Sequence, residues 1–167
     1  MMLYFCPRCR RPATATDVCP ACNVPCDAEA ETYVEKLMTA LFSRDPTRVG
    51  MAVDVLTLWL HEKRAVVPLI HLMQTTQDME CMWMAAQGLG RLGDPAAVPV
   101  LIELLHDANR PYVARVAAAK SLGQLGGDEA RAALRRACHD LRPSVAQAAA
   151  QALQKLGEDK CVTPPSR

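Results

Sequence analysis

The amino-acid sequence predicts an all-α protein: a right-handed α-solenoid of about four helix pairs, preceded by a small cysteine-rich module. Three observations support this fold class. Alanine and leucine dominate the second half of the 167 residues, and both lose little free energy on entering a helix. Apolar side chains recur at helical spacing from about residue 28 onward. A leucine pattern in this region repeats every 31 to 33 residues, an interval typical of stacked helix pairs.

The N-terminal module, residues 1–27, contains two CPxC motifs. The first is formed by Cys6 and Cys9, and the second by Cys19 and Cys22. Thiolates from two tight turns can converge on one tetrahedral ion when the turns face each other across a short hairpin. So small a segment has no hydrophobic core, and the binding energy of a metal would stabilise its fold. The motifs therefore predict a structural Zn²⁺ held by these four cysteines.

The pair of motifs resembles a short zinc ribbon of the CPxC…CPxC type over about residues 3–27. Ribbons usually carry glycine after the second cysteine of each motif, whereas this chain has Arg10 and Asn23 there. Three alternatives stay open. Cys26 could replace Cys22 as a ligand, a rubredoxin-type iron could occupy the site, or one motif could be a redox pair. The redox alternative lacks the strand and helix expected around such a motif.

The helical segment, residues 28–160, is internally repetitive. Leu89, Leu122 and Leu153 occupy equivalent positions, at intervals of 33 and 31 residues. A helix pair at this interval is too thin to bury its apolar face alone, so neighbouring pairs must stack. Residues 161–167 are predicted to form a flexible tail. The predicted helices span about 29–43, 46–61, 64–75, 79–92, 95–107, 111–125, 128–139 and 143–156.

Turn residues support these boundaries. Gly93, Gly126 and Gly157 each stand where a helix should end, and Asp94 followed by Pro95 is typical of a helix N-terminus. The loops between the predicted helices are 2 or 3 residues long, within the range expected between neighbouring helices.

The stretch DPAAVPVLIELLHD…VARVAAAKSLGQLG resembles HEAT repeats of the phycobilin-lyase-like type. The resemblance is strong over residues 64–157 and weak over residues 28–63. It implies an array that holds another macromolecule on a concave surface lined by the second helix of each pair. It also leaves a tetrapyrrole-lyase or metallocentre-assembly role as an alternative function.

A row of side chains on the second helices is predicted to face outward on the concave surface. It is apolar in the first pair, and polar, mildly cationic and without acids in the later pairs. We predict that a protein or peptide partner binds along this row, with Met51, Trp59 and Trp83 as anchors. The row comprises Met51, Val55, Trp59, Trp83, Gln87, Arg91, Val116, Lys120, Gln124, Gln147, Gln151 and Lys155.

The helix VGMAVDVLTLWL of the first pair is apolar nearly all round, which indicates that something covers it. One interpretation is that the cysteine-rich module or the preceding helix packs there. Another is that a partner, or a second copy in a homodimer, docks on this helix pair. The chain is therefore predicted to be a monomer or a homodimer through its first pair.

No catalytic constellation is recognisable in the sequence, so a non-catalytic adaptor is predicted. His61 and Glu62 form a single His-Glu pair, whereas HEAT-type hydroxylases build a di-iron site from several. The other histidines, His71, His106 and His139, lie on different helices at offsets that do not converge. Neither a phosphate-binding loop nor a nucleophile elbow is visible.

The net charge and the hydropathy of the chain bear on nucleic-acid binding, membrane insertion and cellular location. The formal net charge is +1, so nucleic-acid binding is possible but not favoured, despite a basic spot at Arg8, Arg10 and Arg11. No apolar stretch approaches the length of a membrane span or of a secretory signal. A cytoplasmic location is therefore predicted, and in that reducing compartment paired CxxC motifs indicate metal binding rather than disulfides.

Overall fold

In the computed structural model, the chain is a stack of helices. The structure describes residues 28–158, with side chains from Tyr33 onward, and the backbone of residues 4–5 and 12–13. All eight predicted helices are present. They are α1 (Ala28–Ala40), α2 (Pro46–Asp54), α3 (Val66–Thr75), α4 (Met79–Leu92), α5 (Val98–His106), α6 (Tyr112–Leu125), α7 (Asp128–Ala137) and α8 (Pro143–Lys155).

The helices form an α-solenoid of four pairs, as the sequence predicts. The second helices α2, α4, α6 and α8 build one continuous layer, because each contacts the next. Each first helix packs against the second helix of its own pair. The core lies between these elements and is made mainly of leucine, alanine and valine side chains that solvent does not reach.

Two short strands precede the helices. β1 (Tyr4–Phe5) and β2 (Pro12–Ala13) pair in antiparallel fashion, with Tyr4 opposite Ala13 and Phe5 opposite Pro12. The predicted zinc ligands Cys6, Cys9, Cys19 and Cys22 lie outside the described residues, as do Cys26 and the predicted tail at residues 161–167.

The second helices approach each other closely at glycines. A Cβ atom on Gly123 of α6 would lie 2.7 Å from the Cβ atom of Ala152 on α8. A Cβ atom on Gly90 of α4 would lie 2.5 Å from the hydroxyl oxygen of Ser121 on α6. These distances are shorter than van der Waals contact, so only glycine permits this spacing. The Ser121 hydroxyl in turn donates a hydrogen bond of 2.8 Å to the carbonyl of Ala86, which joins α6 to α4.

Aspartate caps start several helices. Asp94 has extended backbone angles and accepts a hydrogen bond of 2.9 Å from the Ala96 amide, as predicted for a helix start. Asp45 and Asp78 cap α2 and α4 in the same way. Gly93 ends α4 with a φ of 69°, a conformation that glycine adopts without strain.

The predicted helix over residues 46–61 is interrupted. α2 ends at Asp54 and continues as a π turn over Val55–Trp59. In this wider turn the Leu60 amide donates to the carbonyl of Val55, five residues back, at 3.0 Å. A π turn changes the direction of the following side chains without a change in composition, and hydrophobic periodicity therefore does not reveal it.

A buried ion pair joins the third and fourth helix pairs. Arg115 of α6 is only 4% exposed, its Nε donates to the carbonyl of Leu105 at 2.9 Å, and its guanidinium binds the carboxylate of Asp140. Burial alone would raise the pKa of Asp140. The Arg142 amide and the Arg115 guanidinium outweigh burial, and the pKa of Asp140 lies below its ordinary value of 3.8.

The glycine contacts generate a test of helix spacing. Gly123→Ala is expected to lower the free energy of unfolding by about 1–3 kcal/mol, because the new methyl group overlaps the backbone and side chain of Ala152. The matched control is Gly50→Ala on α2, whose new Cβ meets only the flexible end of Met84. Helix propensity makes this change neutral or stabilising by up to about 1 kcal/mol. Urea unfolding of both variants checks the prediction, and equal stabilities would contradict it.

The ion pair of Arg115 with Asp140 predicts how the stability of the protein depends on pH. Because the folded pKa of Asp140 is lowered, its stabilising contribution is complete above the ordinary carboxyl value and is lost as the pH falls through the folded pKa. Asp140→Asn leaves a buried guanidinium unpaired and is expected to cost about 3 kcal/mol at pH 7. The variant's stability should also decline less than the wild type's below pH 3.8.

A matched control stands 33 residues earlier in the chain. Asp107 caps the Asn109 amide as Asp140 caps the Arg142 amide, and its partner Arg110 lies at 3.4 Å with 30% of its side chain exposed. Asp107→Asn should therefore cost less than about 1 kcal/mol. Unfolding monitored by circular dichroism from pH 2 to 7 compares the two variants. A similar loss of stability in Asp140→Asn and Asp107→Asn would contradict the prediction that the buried pair contributes more than the exposed one.

Candidate protein-binding face on the second helices

The predicted row of partner-binding residues lies on the layer of second helices. We call it the second-helix face, and its residues form one group on each helix. α2 and its π turn carry Met51, Val55 and Trp59, and α4 carries Trp83, Gln87 and Arg91. The later helices α6 and α8 carry Val116, Lys120, Gln124, Gln147, Gln151 and Lys155.

The apolar members of the face differ in exposure. Met51 is 66% exposed and Trp59 is 80% exposed, whereas Val55 is half-buried. Trp83 is also half-buried and packs against the hydrophobic core. Met51 and Trp59 are thus accessible to a partner, while Trp83 already serves in part to stabilise the fold.

The structure does not bring the two tryptophans together. α2 and α4 run parallel, because Gly50 lies beside Met84 and Asp54 contacts Arg91. Trp83 therefore lies near the level of Gly50. Trp59 is nine residues further along α2, roughly 13 Å away along the helix axis at 1.5 Å per residue. The two indoles thus lie on neighbouring helices, near opposite ends of the helix axes.

The polar part of α4 is held in place by an acid that lies outside the predicted row. Arg91 contacts the carboxylate of Asp54 on α2 at 2.7 Å and donates to the side-chain oxygen of Gln87 at 2.8 Å. The predicted row contains no acid, because Asp54 lies one position away from the apolar register of α2. Only the parallel packing of α2 on α4 shows that Arg91 has a partner.

The groups on α6 and α8 remain accessible. Lys120, Gln124, Gln151 and Lys155 are all exposed, and within residues 33–158 neither lysine forms an ion pair. Gln124 flanks the close approach of α6 to α4, because its side-chain oxygen lies beside Gly90. This half of the face thus offers two free cations and several amides that both donate and accept hydrogen bonds.

The described residues show little that could act as a nucleophile or a metal ligand set. Among residues 33–158, His, Cys, Asp and Glu side chains form no group of three or more that could hold a metal ion. Cys81 is buried, and burial, with a further contribution from Asp78, raises the pKa of its thiol to about 11. It is therefore protonated at neutral pH and is a poor nucleophile.

One histidine lies near the buried ion pair. Burial, together with the positive charges of Arg136 and Arg115, lowers the pKa of His106, and the negative charge of Asp140 opposes this shift. His106 and Asp107 repeat at His139 and Asp140 with a spacing of 33 residues, and this spacing alone marks equivalent helix ends. The predicted partner-binding and metal-binding residues stay predictions.

The family model described as HEAT repeats matches residues 34–119 and 110–164, which together span well over half of the chain. None of the curated proteins compared with the chain matches it. In the part of the chain that the structure describes, no helix is long and apolar enough to cross a membrane.

A solved structure shares the fold of the chain. It is "The structure of the complex of CpcE and CpcF of phycocyanin lyase from Nostoc sp. PCC7120", and one of its chains is 27% identical, with a TM-score of 0.62. The match covers 86% of this chain and 59% of that chain. The protein is thus similar to a lyase subunit over most of its own length, and it spans less than two thirds of the length of that subunit.

This match corrects the prediction that the protein is not an enzyme. The similar chain is part of a lyase, so a HEAT-like solenoid of this kind does occur in an enzyme. The prediction was wrong because it depended on known catalytic signatures, such as nucleophile elbows and phosphate loops. A stack of helix pairs has none of these sequence patterns, whether or not it takes part in a reaction.

Proposed function

Since the chain belongs to the HEAT-repeat family, we propose that it binds a protein partner through the second-helix face and acts as a subunit of a lyase-like enzyme. The observation that carries this proposal is the match to one chain of the CpcE–CpcF complex, with 27% identity over 86% of this chain. That complex consists of two different proteins, which supports a role that depends on protein partners. The HEAT-repeat solenoid itself supplies a long, continuous helix layer suited to such contacts.

The charges on the face indicate the chemistry of the partner. Lys120 and Lys155 are exposed and unpaired within the described residues, whereas Arg91 is already neutralised by Asp54. An acidic segment of a protein would therefore bind to the α6 and α8 half of the face. Gln124 and Gln151 can hydrogen-bond to the amide groups of that segment, and Met51 offers an apolar contact at the α2 end.

Binding to phycocyanin, the protein named in the similar enzyme, tests both parts of this proposal. The charge-reversed variant Lys120→Glu with Lys155→Glu should bind immobilised phycocyanin about tenfold more weakly than the wild type, a loss of about 1.4 kcal/mol. Biolayer interferometry at two salt concentrations measures the affinity. Incubation of the wild type with phycocyanin, followed by its visible absorbance, tests for lyase-like chemistry.

The control makes the same charge change on other surfaces. Lys36→Glu with Lys63→Glu alters α1 and the turn before α3, and both lysines are exposed. This variant should bind phycocyanin as the wild type does. Equal losses in both double variants would contradict binding on the second-helix face. No detectable binding, together with unchanged phycocyanin absorbance, would contradict the lyase-like role.

We also propose that Cys6, Cys9, Cys19 and Cys22 hold one structural zinc ion. The support is the sequence: two CPxC motifs at a spacing typical of four-thiolate zinc sites. The backbone pairing of β1 with β2 is consistent with this, because the two strands flank the first motif in the chain. Bound zinc would stabilise a segment too short for a core of its own.

Native mass spectrometry of the untagged protein, purified without chelator, tests the zinc proposal. One zinc ion per chain is expected, and Cys9→Ser or Cys22→Ser should abolish it, because each removes one of four thiolate ligands. Cys26→Ser is the matched control and should retain the metal. Iron in place of zinc, or a metal-free protein with a disulfide between these cysteines, would contradict the proposal.

A further inference from the structure

Three consecutive apolar side chains are exposed where the first helix pair ends. They are Leu58, Trp59 and Leu60, with exposed fractions of 47%, 80% and 44%, and we call them the apolar end patch. An exposed indole between two leucines is unusual on a free protein surface and is typical of a contact surface.

The backbone around the patch holds it in this exposed arrangement. The π turn widens the helix by one residue, so the patch is displaced by about 100° from the face that a continuous α-helix would give it. The helix then ends with a hydrogen bond of 2.9 Å from the Glu62 amide to the carbonyl of Leu56. This ending places His61 at a φ of 46°, a conformation that normally favours glycine. Local strain is thus retained at the site that presents the patch.

The N-terminal module, residues 1–27, is attached beside the patch. α1 and α2 are joined by residues 41–45 only, and the π turn beyond α2 also contacts α1, so the two helices run antiparallel. Each is roughly 20 Å long at 1.5 Å per residue, when the π turn is counted with α2. Ala28, where α1 begins, therefore lies at the same end of the pair as Trp59.

The first and last helix pairs of the solenoid differ in the side chains that they present at its two ends. At the C-terminal end, Glu158 binds Arg135 at 2.7 Å and Arg131 at 3.5 Å, so charged side chains join α7 to the end of α8. At the N-terminal end, none of the described side chains of α1, from Tyr33 to Ala40, is fully buried. Terminal repeats need a polar cap, because no neighbour covers their apolar side. Among the described residues, no such polar cap covers the first pair.

The N-terminal module itself needs a surface to pack against. Its β1–β2 pairing is only two residues long, and an isolated two-stranded hairpin is marginally stable. Its apolar residues include Leu3, Tyr4 and Phe5, which are too few for a separate core. The short tether also favours contact within the chain, because it gives a local concentration on the order of millimolar. A second copy of the chain at micromolar concentration would therefore compete poorly with the tethered module for the patch.

We propose that residues 1–27 fold back onto the apolar end patch and form the N-terminal cap of the solenoid. The module buries Leu58, Trp59 and Leu60, and in return the patch completes the apolar side of the β1–β2 hairpin. The rest of the second-helix face, from Met51 on α2 to Lys155 on α8, then stays open to the partner. The cap takes Trp59 out of the second-helix face, and it leaves in place Met51, Lys120 and Lys155, on which the proposed function rests.

Photo-crosslinking of the full-length protein tests the cap. p-Benzoylphenylalanine is placed at position 59, and an equal mixture of unlabelled and ¹⁵N-labelled chains is irradiated and digested. Mass spectrometry should then identify crosslinks from position 59 to peptides of residues 1–27 with the same isotope label. The control places the probe at position 141, because Leu141 is 100% exposed and lies at the opposite end of the solenoid. Its yield of crosslinks to residues 1–27 should be severalfold lower.

Fluorescence gives a second readout. Trp59 and Trp83 are the two tryptophans of the chain, so Trp83→Phe leaves Trp59 as the reporter. Acrylamide should quench this indole severalfold less than free N-acetyltryptophanamide, and Phe5→Asp should restore quenching with unchanged helix content. Crosslinks between differently labelled chains would overturn the cap in favour of a dimer. Freely quenched Trp59 without crosslinks to residues 1–27 would overturn it outright.

Discussion

The close approach of the second helices is the constraint on which the rest of the structure depends. Gly88, Gly90 and Gly123 have no room for a Cβ atom, because α2, α6 and α8 lie against them at less than van der Waals distance from that position. Glycine inside a helix costs about 1 kcal/mol relative to alanine. The burial of apolar surface along the whole layer offsets this cost, and the spacing of the layer sets the positions of every side chain on the second-helix face.

Electrostatics divides that face into two halves. Asp54 neutralises Arg91 on the α2–α4 side, whereas Lys120 and Lys155 remain unpaired on the α6–α8 side of the described structure. The exposed side chain of Met51 belongs to the first half, in the part of α2 that the proposed cap leaves open. A partner that covers the whole face would therefore meet apolar groups at one end and cations at the other, which fixes its orientation.

Much of the fold could be predicted because helical periodicity and aspartate caps are local signals. The helix starts at Pro46 and Met79 follow from them directly, and Pro143 is itself a typical first residue of a helix. The π turn could not be predicted, since it alters backbone hydrogen bonds without changing the apolar pattern. The Asp54–Arg91 and Arg115–Asp140 pairs join residues 37 and 25 positions apart, and only tertiary packing brings them together. The lyase-like alternative was not favoured from the sequence, because helix repeats carry none of the known catalytic signatures.

The buried ion pair of Arg115 has a consequence for the order in which the chain folds. It ties α5, α6 and the turn before α8 into one cooperative unit, while α1 contributes no fully buried side chain from Tyr33 to Ala40. During synthesis the first pair leaves the ribosome before its cover on α4 exists. Its apolar residues are then open to chaperones until the later pairs emerge. The first pair therefore depends on the later pairs for the cover of its apolar residues.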